Sequence, residues 1–168
     1  MSTMPTASIL LLQKTLLKEV VSLLAEMKFE NSDGETVTGV TGYEQRLPQI
    51  TEDDEDSSQF FPYAVVRATG WNTKDDTDPW HVTIDVLFGV VDTSKDSHGH
   101  ELLMNMIQKV ADRFIHEPLL DHSYRAEQNI DAELQDEDTY PYYFGGIEFV
   151  FTAPKIERKI EFDENKYT

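Results

Sequence analysis

The stretch from Trp80 to Phe114 limits most sharply what this chain can fold into. From Trp80 to Asp92 apolar and polar residues alternate. Trp80, Val82, Ile84, Val86, Phe88 and Val90 point one way, and His81, Thr83 and Asp85 the other. That period of two marks an antiparallel strand with one face on a core. Towards its end Leu87 and Val91 make the second face apolar as well, which predicts cover there. After a polar break, a helix places Leu103, Ile107, Val110 and Phe114 on one side, with Pro118 just beyond its end.

The rest of the chain extends this pattern. Ile9, Leu12, Leu16, Val20, Leu23 and Met27 recur at steps of three and four, predicting a helix over Ser8–Lys28. Leu17, Val21 and Leu24 widen its apolar stripe beyond what one sheet face requires, so part of it is a candidate subunit contact. A short strand is expected within Thr36–Arg46, another over Tyr63–Thr69 with Pro62 at its first residue or edge, and a turn over Asn72–Pro79. Tyr124–Leu134 reads as one alternating strand with Ala126, Ile130, Ala132 and Leu134 inward. The last main strand carries Ile147, Phe149, Phe151 and Ala153 inward and Glu148 outward, preceded by a bulge at Gly145-Gly146. The expectation is one α+β domain over residues 1–168: a mainly antiparallel sheet of about four or five strands with two principal helices packed on it. An acidic loop at 51–58 and a charged C-terminal arm at 156–168 complete it.

Charge narrows the function classes. With 32 Asp and Glu against 14 Lys and Arg, the formal net charge is −18. Such a field repels phosphate, so specific nucleic-acid binding and attachment to anionic lipid are disfavoured. The absence of cysteine rules out disulfides, a thiolate nucleophile and a Cys-based zinc site. Hydrophobic residues at 39% argue for a packed core despite the charge. Ile9–Leu12 is the only apolar run near the N-terminus and no Lys or Arg precedes it, so the reading is a soluble protein with no signal peptide that starts in a cytoplasm.

Candidate chemistry is sparse. Glu52-Asp53-Asp54-Glu55-Asp56 lacks the spaced ligands and central glycine of a calcium loop and reads as a solvated, mobile segment. His98-Gly99-His100-Glu101 misses the spacing of a helical zinc site and reads as the polar start of a helix. A metal-dependent hydrolase would have to rest on His98, His100, Asp92 and Asp96. His81, His116 and His122 have no Ser or Cys motif to assist, and no nucleophile elbow, P-loop or dinucleotide fingerprint is present. The chain is therefore read as a non-enzyme without catalytic residues, metal ligands or cofactor. An acidic inhibitor that mimics DNA is a further alternative, although the densest acids fall in predicted loops rather than along one face. Tyr140, Tyr142, Tyr143 and Phe144 form either a packed corner set by Pro141 or a contact surface.

Several of these segments together resemble a known family. They are Phe61-Pro62-Tyr63-Ala64-Val65-Val66-Arg67, Phe88-Gly89-Val90-Val91-Asp92, Gly99 opening a helix, Glu137-Asp138-Thr139-Tyr140-Pro141-Tyr142-Tyr143, and Ala153-Pro154, with Leu47-Pro48 ahead of the acidic loop. Over Ser8–Arg158 the chain resembles the tail terminator and related tail-completion proteins of long-tailed bacteriophages. The resemblance implies a virion protein of the tail, assembled in the host bacterial cytoplasm. It implies a ring, a hexamer when assembled, that caps the tail tube, ends its growth and prepares it for joining to the head. The implied partners are further copies of the chain, the tail tube protein and a head-side connector protein, with DNA only passing through the lumen. A head-side neck or closure protein is the nearest rival. Leu17, Val21, Leu24, Trp71, Tyr140, Tyr142 and Tyr143 are the candidate subunit or tube contacts.

Overall fold

The computed structural model describes residues 8–50, 56–96 and 98–159. Helix α1, Ile9–Leu23, starts where Ser8 accepts a hydrogen bond from the Leu11 amide, a side-chain cap for an otherwise unpaired donor. It ends at Leu23, five residues earlier than the expected Lys28. Met27 has left the helix, and its carbonyl accepts from Gly39 at 2.8 Å. Gly39 has φ +75 and comes so close that a Cβ there would lie 3.2 Å from the Ala25 carbonyl oxygen. Two short strands, β1 (Lys28–Glu30) and β2 (Thr36–Thr38), form the hairpin that makes this approach, turning at Asn31–Gly34.

Three long strands carry the fold. β4 (Tyr63–Asn72), β5 (Trp80–Val91) and β9 (Tyr142–Ala153) run antiparallel, with β5 in the middle. β3 (Thr41–Glu44) lies parallel to β4 at one edge. β7 (Tyr124–Ala126) and β8 (Asp131–Leu134) both pair with the far side of β9, and β6 (Leu119–Leu120) pairs with β7. β1 joins the end of β5 at Val91. The sheet has nine strands among the described residues, against an expectation of four or five. The additional strands are two to four residues long, too short to show a period. The segment Tyr124–Leu134 is two strands broken at 127–130, and Ala132 and Leu134 are exposed rather than inward. No bulge interrupts β9 at Gly145-Gly146; its register with β5 is continuous, and the shift lies in β4 between Ala68 and Gly70.

Both helices lie on one face. α1 contributes Leu12, Leu16, Val20 and Leu24, and α2 (Gly99–His116) contributes Leu103, Met106, Ile107, Val110 and Phe114. They meet Ala64, Val66, Val82, Ile84, Val86, Phe88, Phe149 and Phe151, the alternate residues that period two sends inward. Phe114 packs edge-on against both Phe149 and Phe151, with ring centres 5.2 and 5.5 Å apart. Gln13, the buried polar side chain among the described residues, is satisfied. Its amide nitrogen donates to the Val66 carbonyl at 2.9 Å and to Gln45 Oε1 at 2.7 Å. Glycine is required at position 99, the start of α2, because a Cβ on Gly99 would lie 2.1 Å from the ring of Tyr143.

The opposite face of the sheet is half covered. Phe61, Tyr63, Val65 and Val91 form a second buried cluster with Tyr43, Leu47, Phe60, Leu87, Tyr142 and Phe144. The cover expected over Leu87 and Val91 is thus present, supplied by the segment that carries Leu47 and by the 3-10 turn Ser57–Phe60. Phe61 is its hub, touching Tyr63, Tyr142 and Phe144 at ring distances of 4.9 to 5.7 Å.

Candidate functional site

Beyond the aromatic cluster the outer sheet face is open and acidic. Strand register sets Arg67 opposite Asp85, Asp85 opposite Glu148, and Glu148 opposite Asp131, one row across β4, β5, β9 and β8. Glu133 stands on the same edge strand. A trough of about 810 Å³ runs beside this row, bounded on its apolar side by Tyr63, Leu87 and Phe144. Like charges directly opposite one another destabilise a sheet. The effect shows in Glu148, whose carboxyl is held above its usual range by burial first, then by the charge and hydrogen bond of Asp85 and the charge of Asp131. Arg67 stands at the end of the row and donates from Nε to the Gln45 carbonyl at 2.9 Å. In the sequence each acid shows only as an outward residue on its own strand. What aligns them is the pairing of β5, β9 and β8, which no single segment reveals.

A second surface lies where α1 overhangs the sheet edge. Leu17 and Val21 close over Gly42 of β3, where a Cβ would lie 2.7 Å from either side chain. A groove of about 350 Å³ opens there, rimmed by Lys14, Lys18 and Glu44, with Lys14 Nζ 2.8 Å from Glu44 Oε1. Leu17 and Val21 are half-buried and reach the surface. Leu24, read as part of the same stripe, does not: it is fully buried in the subunit's own core at the C-terminal cap of α1.

The aromatic candidates separate by strand alternation. Tyr142 faces the outer cluster and packs on Phe61, whereas Tyr143 faces α2 and packs on Gly99. Tyr140 precedes the strand, is 45% exposed, and donates its hydroxyl to the Thr93 carbonyl at 2.6 Å. Trp71, beyond the register shift in β4, is 52% exposed. The corner is therefore packed at two tyrosines and open at the third.

Of the acidic run, Glu52, Asp53, Asp54 and Glu55 lie outside the described residues. Asp56 caps the 3-10 turn, accepting from the Ser58 amide at 3.0 Å; hydrogen bonds from the Ser58 side chain and amide lower its pKa. At the start of α2, His98 Nδ1 lies 3.0 Å from Glu101, while Asp96 is 3.9 Å from the other ring nitrogen. Among the described residues no three His, Asp or Glu side chains are grouped so as to hold a metal ion. His81, read as an isolated residue, is paired at both ring nitrogens: with Glu127 at 2.6 Å and with Asp78 at 2.9 Å.

A scan against protein-family models finds no match to this chain, and a search of curated proteins finds none either. Among the described residues no helix is long and apolar enough to cross a membrane.

Proposed function

We propose that this chain is a structural subunit that closes as a ring on the end of a phage tail tube, ends tube growth and readies the tail for the head. The reading starts from the sequence resemblance, and the α+β architecture is compatible with it. The observation that carries it further is the acidic row Asp85–Glu148–Asp131. Stacking three carboxylates across neighbouring strands lowers the stability of the fold, so a use for that charge outside the fold is called for. A channel that must let DNA slide through without holding it supplies one, because aligned carboxylates repel the phosphates. On this reading the ring, a hexamer when assembled, contacts the tube protein on one side and a head-side connector on the other, in the virion tail. It makes no sequence-specific contact with DNA.

The test is to incubate the protein with purified tail tubes and image their ends, and to image particles made without it. Capped ends and overlong tails in its absence are the expected results. Normal tails beside separate heads would move the assignment to the neck or closure role. Uncapped tubes, with no oligomer even at high protein concentration, would remove the ring altogether.

A further inference from the structure

The sheet treats its two successive edge segments on this side differently. β3 gives its Thr41 amide, and the following Gln45 amide, to Pro62 and Val66 of the β4 segment at 3.1 and 2.9 Å. Period two then turns the Gly42 and Glu44 amides to the outside, where no strand meets them among the described residues. Just past β3 the edge of β4 is closed instead. Gln45 lays its side-chain amide along Ala68, accepting from its N–H at 3.1 Å and donating to its carbonyl at 2.9 Å. An edge that is masked in one segment and, among the described residues, uncovered in the next offers a ready template for strand addition there.

The helix above that open edge is apolar on the same side. Leu10, Leu17 and Val21 recur at steps of seven and four, with Lys14 between; Leu17 and Val21 pack on the rim of the core and reach the surface over Gly42. Leu10 is 58% exposed. An added strand would lie roughly 4.8 Å outside β3 and send every second side chain under Leu17 and Val21.

The C-terminal arm has the matching pattern. Ile156 is 76% exposed, and Ile160 and Phe162, which lie outside the described residues, follow it in the sequence at even positions with Arg158 between, a pattern that would put them on one side if the segment were extended. Residues 160–168 carry Glu161, Asp163 and Glu164 against Lys166 alone, while the groove rim carries Lys14 and Lys18 against Glu44, which pairs with Lys14 and leaves Lys18 as the surplus cation. The arm leaves its own subunit elsewhere. Lys155 Nζ donates to Thr73 Oγ1 at 2.7 Å and to the Asp75 carbonyl, and Arg158 pairs with Asp76 at 3.0 Å. These partners lie beyond the end of β4 at Asn72, whereas Gly42 is in register with Ala64, eight residues back. That separation is roughly 26 Å, so Ile156, next to the anchored Lys155, does not reach its own groove.

We propose that the open edge of β3, roofed by Leu17 and Val21 of α1, receives the C-terminal arm from Ile156 to Phe162 of a second copy as an added strand. Main-chain bonds to Gly42 and to the Glu44 amide supply the joint, since the Glu44 carbonyl already accepts from Arg46 at 2.7 Å, and the alternate Ile and Phe side chains fix its register. Arm and groove are different patches of one subunit, so the contact is head-to-tail and closes into a ring where the rotation permits. The inference rests on the ring reading for its biological setting, but the joint itself is tested without tubes.

Two full-length variants separate the halves of the joint. Ile156→Asp/Ile160→Asp/Phe162→Asp disables the arm. Glu44→Pro disables the edge, since proline is tolerated where the strand amide faces outward but cannot accept a neighbouring strand; Leu17→Glu is a second groove variant. Circular dichroism and melting establish that each folds. A fluorescein-labelled synthetic peptide of residues 155–168 is titrated into the arm variant, with a scrambled peptide as control. Saturable binding is expected, weakened at least about tenfold when Glu44→Pro or Leu17→Glu is added, a change well outside titration error. An equimolar mixture of the arm variant and Glu44→Pro should sediment as a dimer with one intact joint, while neither does so alone. No peptide binding up to about 1 mM, or binding indifferent to both groove changes, overturns the proposal. Tubes capped equally well by the arm variant would overturn it while leaving the ring reading intact. Peptide binding with uncapped tubes would do the reverse.

Discussion

His81 shows how much one side chain can do at a strand end. A neutral imidazole has one N–H, yet both ring nitrogens of His81 face carboxylate oxygens, Glu127 at 2.6 Å and Asp78 at 2.9 Å. Only the imidazolium donates to both. The Glu127 bond raises the pKa most, followed by the bond to Asp78, and Asp78 is lowered in return. Thr152 also donates to Glu127, so the charged ring ties the turn before β5 to the segment after β7. Because the folded pKa is raised, the stabilisation is complete below the ordinary histidine value of 6.5 and is lost as pH rises through the folded value. The melting temperature should fall across that window in the wild type, and the fall should flatten in His81→Asn. Proton NMR of the His81 ring checks the same point. A midpoint at or below 6.5 would mean that the two carboxylates do not hold the charge.

At the scale of elements, the acidic row is a fold-level cost confined to three strands. Glu148 is raised above its ordinary value of 4.5, so the folded state prefers its neutral form. The stability this gives is complete below 4.5 and is lost as pH rises through the raised value. Glu148→Gln makes the neutral form permanent. It should therefore be more stable than wild type in urea at neutral pH, and the advantage should vanish below the ordinary glutamate value. A variant less stable at neutral pH would show that the Glu148 charge is compensated. This row also marks what a single sequence reveals. The long elements were legible because β5, β9 and α2 carry periods over 12 to 18 residues. The buried Leu103, Ile107, Val110 and Phe114, and the second apolar face at Leu87 and Val91, followed directly from them. Strands of two to four residues hold at most two repeats of a period, so β1, β6 and the division of Thr36–Arg46 and of Tyr124–Leu134 into two strands each stayed hidden. Likewise the end of α1 depends on Gly39 meeting Ala25, a contact made by a hairpin and not by the helix sequence. Of the candidate contacts, Trp71 and Tyr140 are exposed and Leu17, Val21, Tyr142 and Tyr143 are half-buried, whereas Leu24 continued the helical pattern into the core.

For the whole molecule, opposing electrostatic effects can be ranked. Exposed ion pairs such as Lys14–Glu44 and Arg158–Asp76 are worth about 0–1 kcal/mol each and weaken with salt. Against them stands the self-repulsion of a chain with 32 acids and 14 Lys and Arg. Even if every cation were paired with one acid, 18 acids would be left over, so repulsion outweighs the pairing. Screening lengths fall from about 30 Å at 0.01 M salt to about 8 Å at 0.15 M, short enough to relieve repulsion between distant acids. The melting temperature should therefore rise over that range of sodium chloride. The two hydrophobic clusters share β4 and β5, so neither can melt without disturbing the strands that support the other. The rise should accordingly appear as a shift of one transition, with the fluorescence of Trp71 and Trp80 and far-ultraviolet circular dichroism changing together. A melting temperature that falls with salt would put the ion pairs above the self-repulsion. Two separated transitions would mean that the aromatic cluster on the outer face unfolds independently of the helical side.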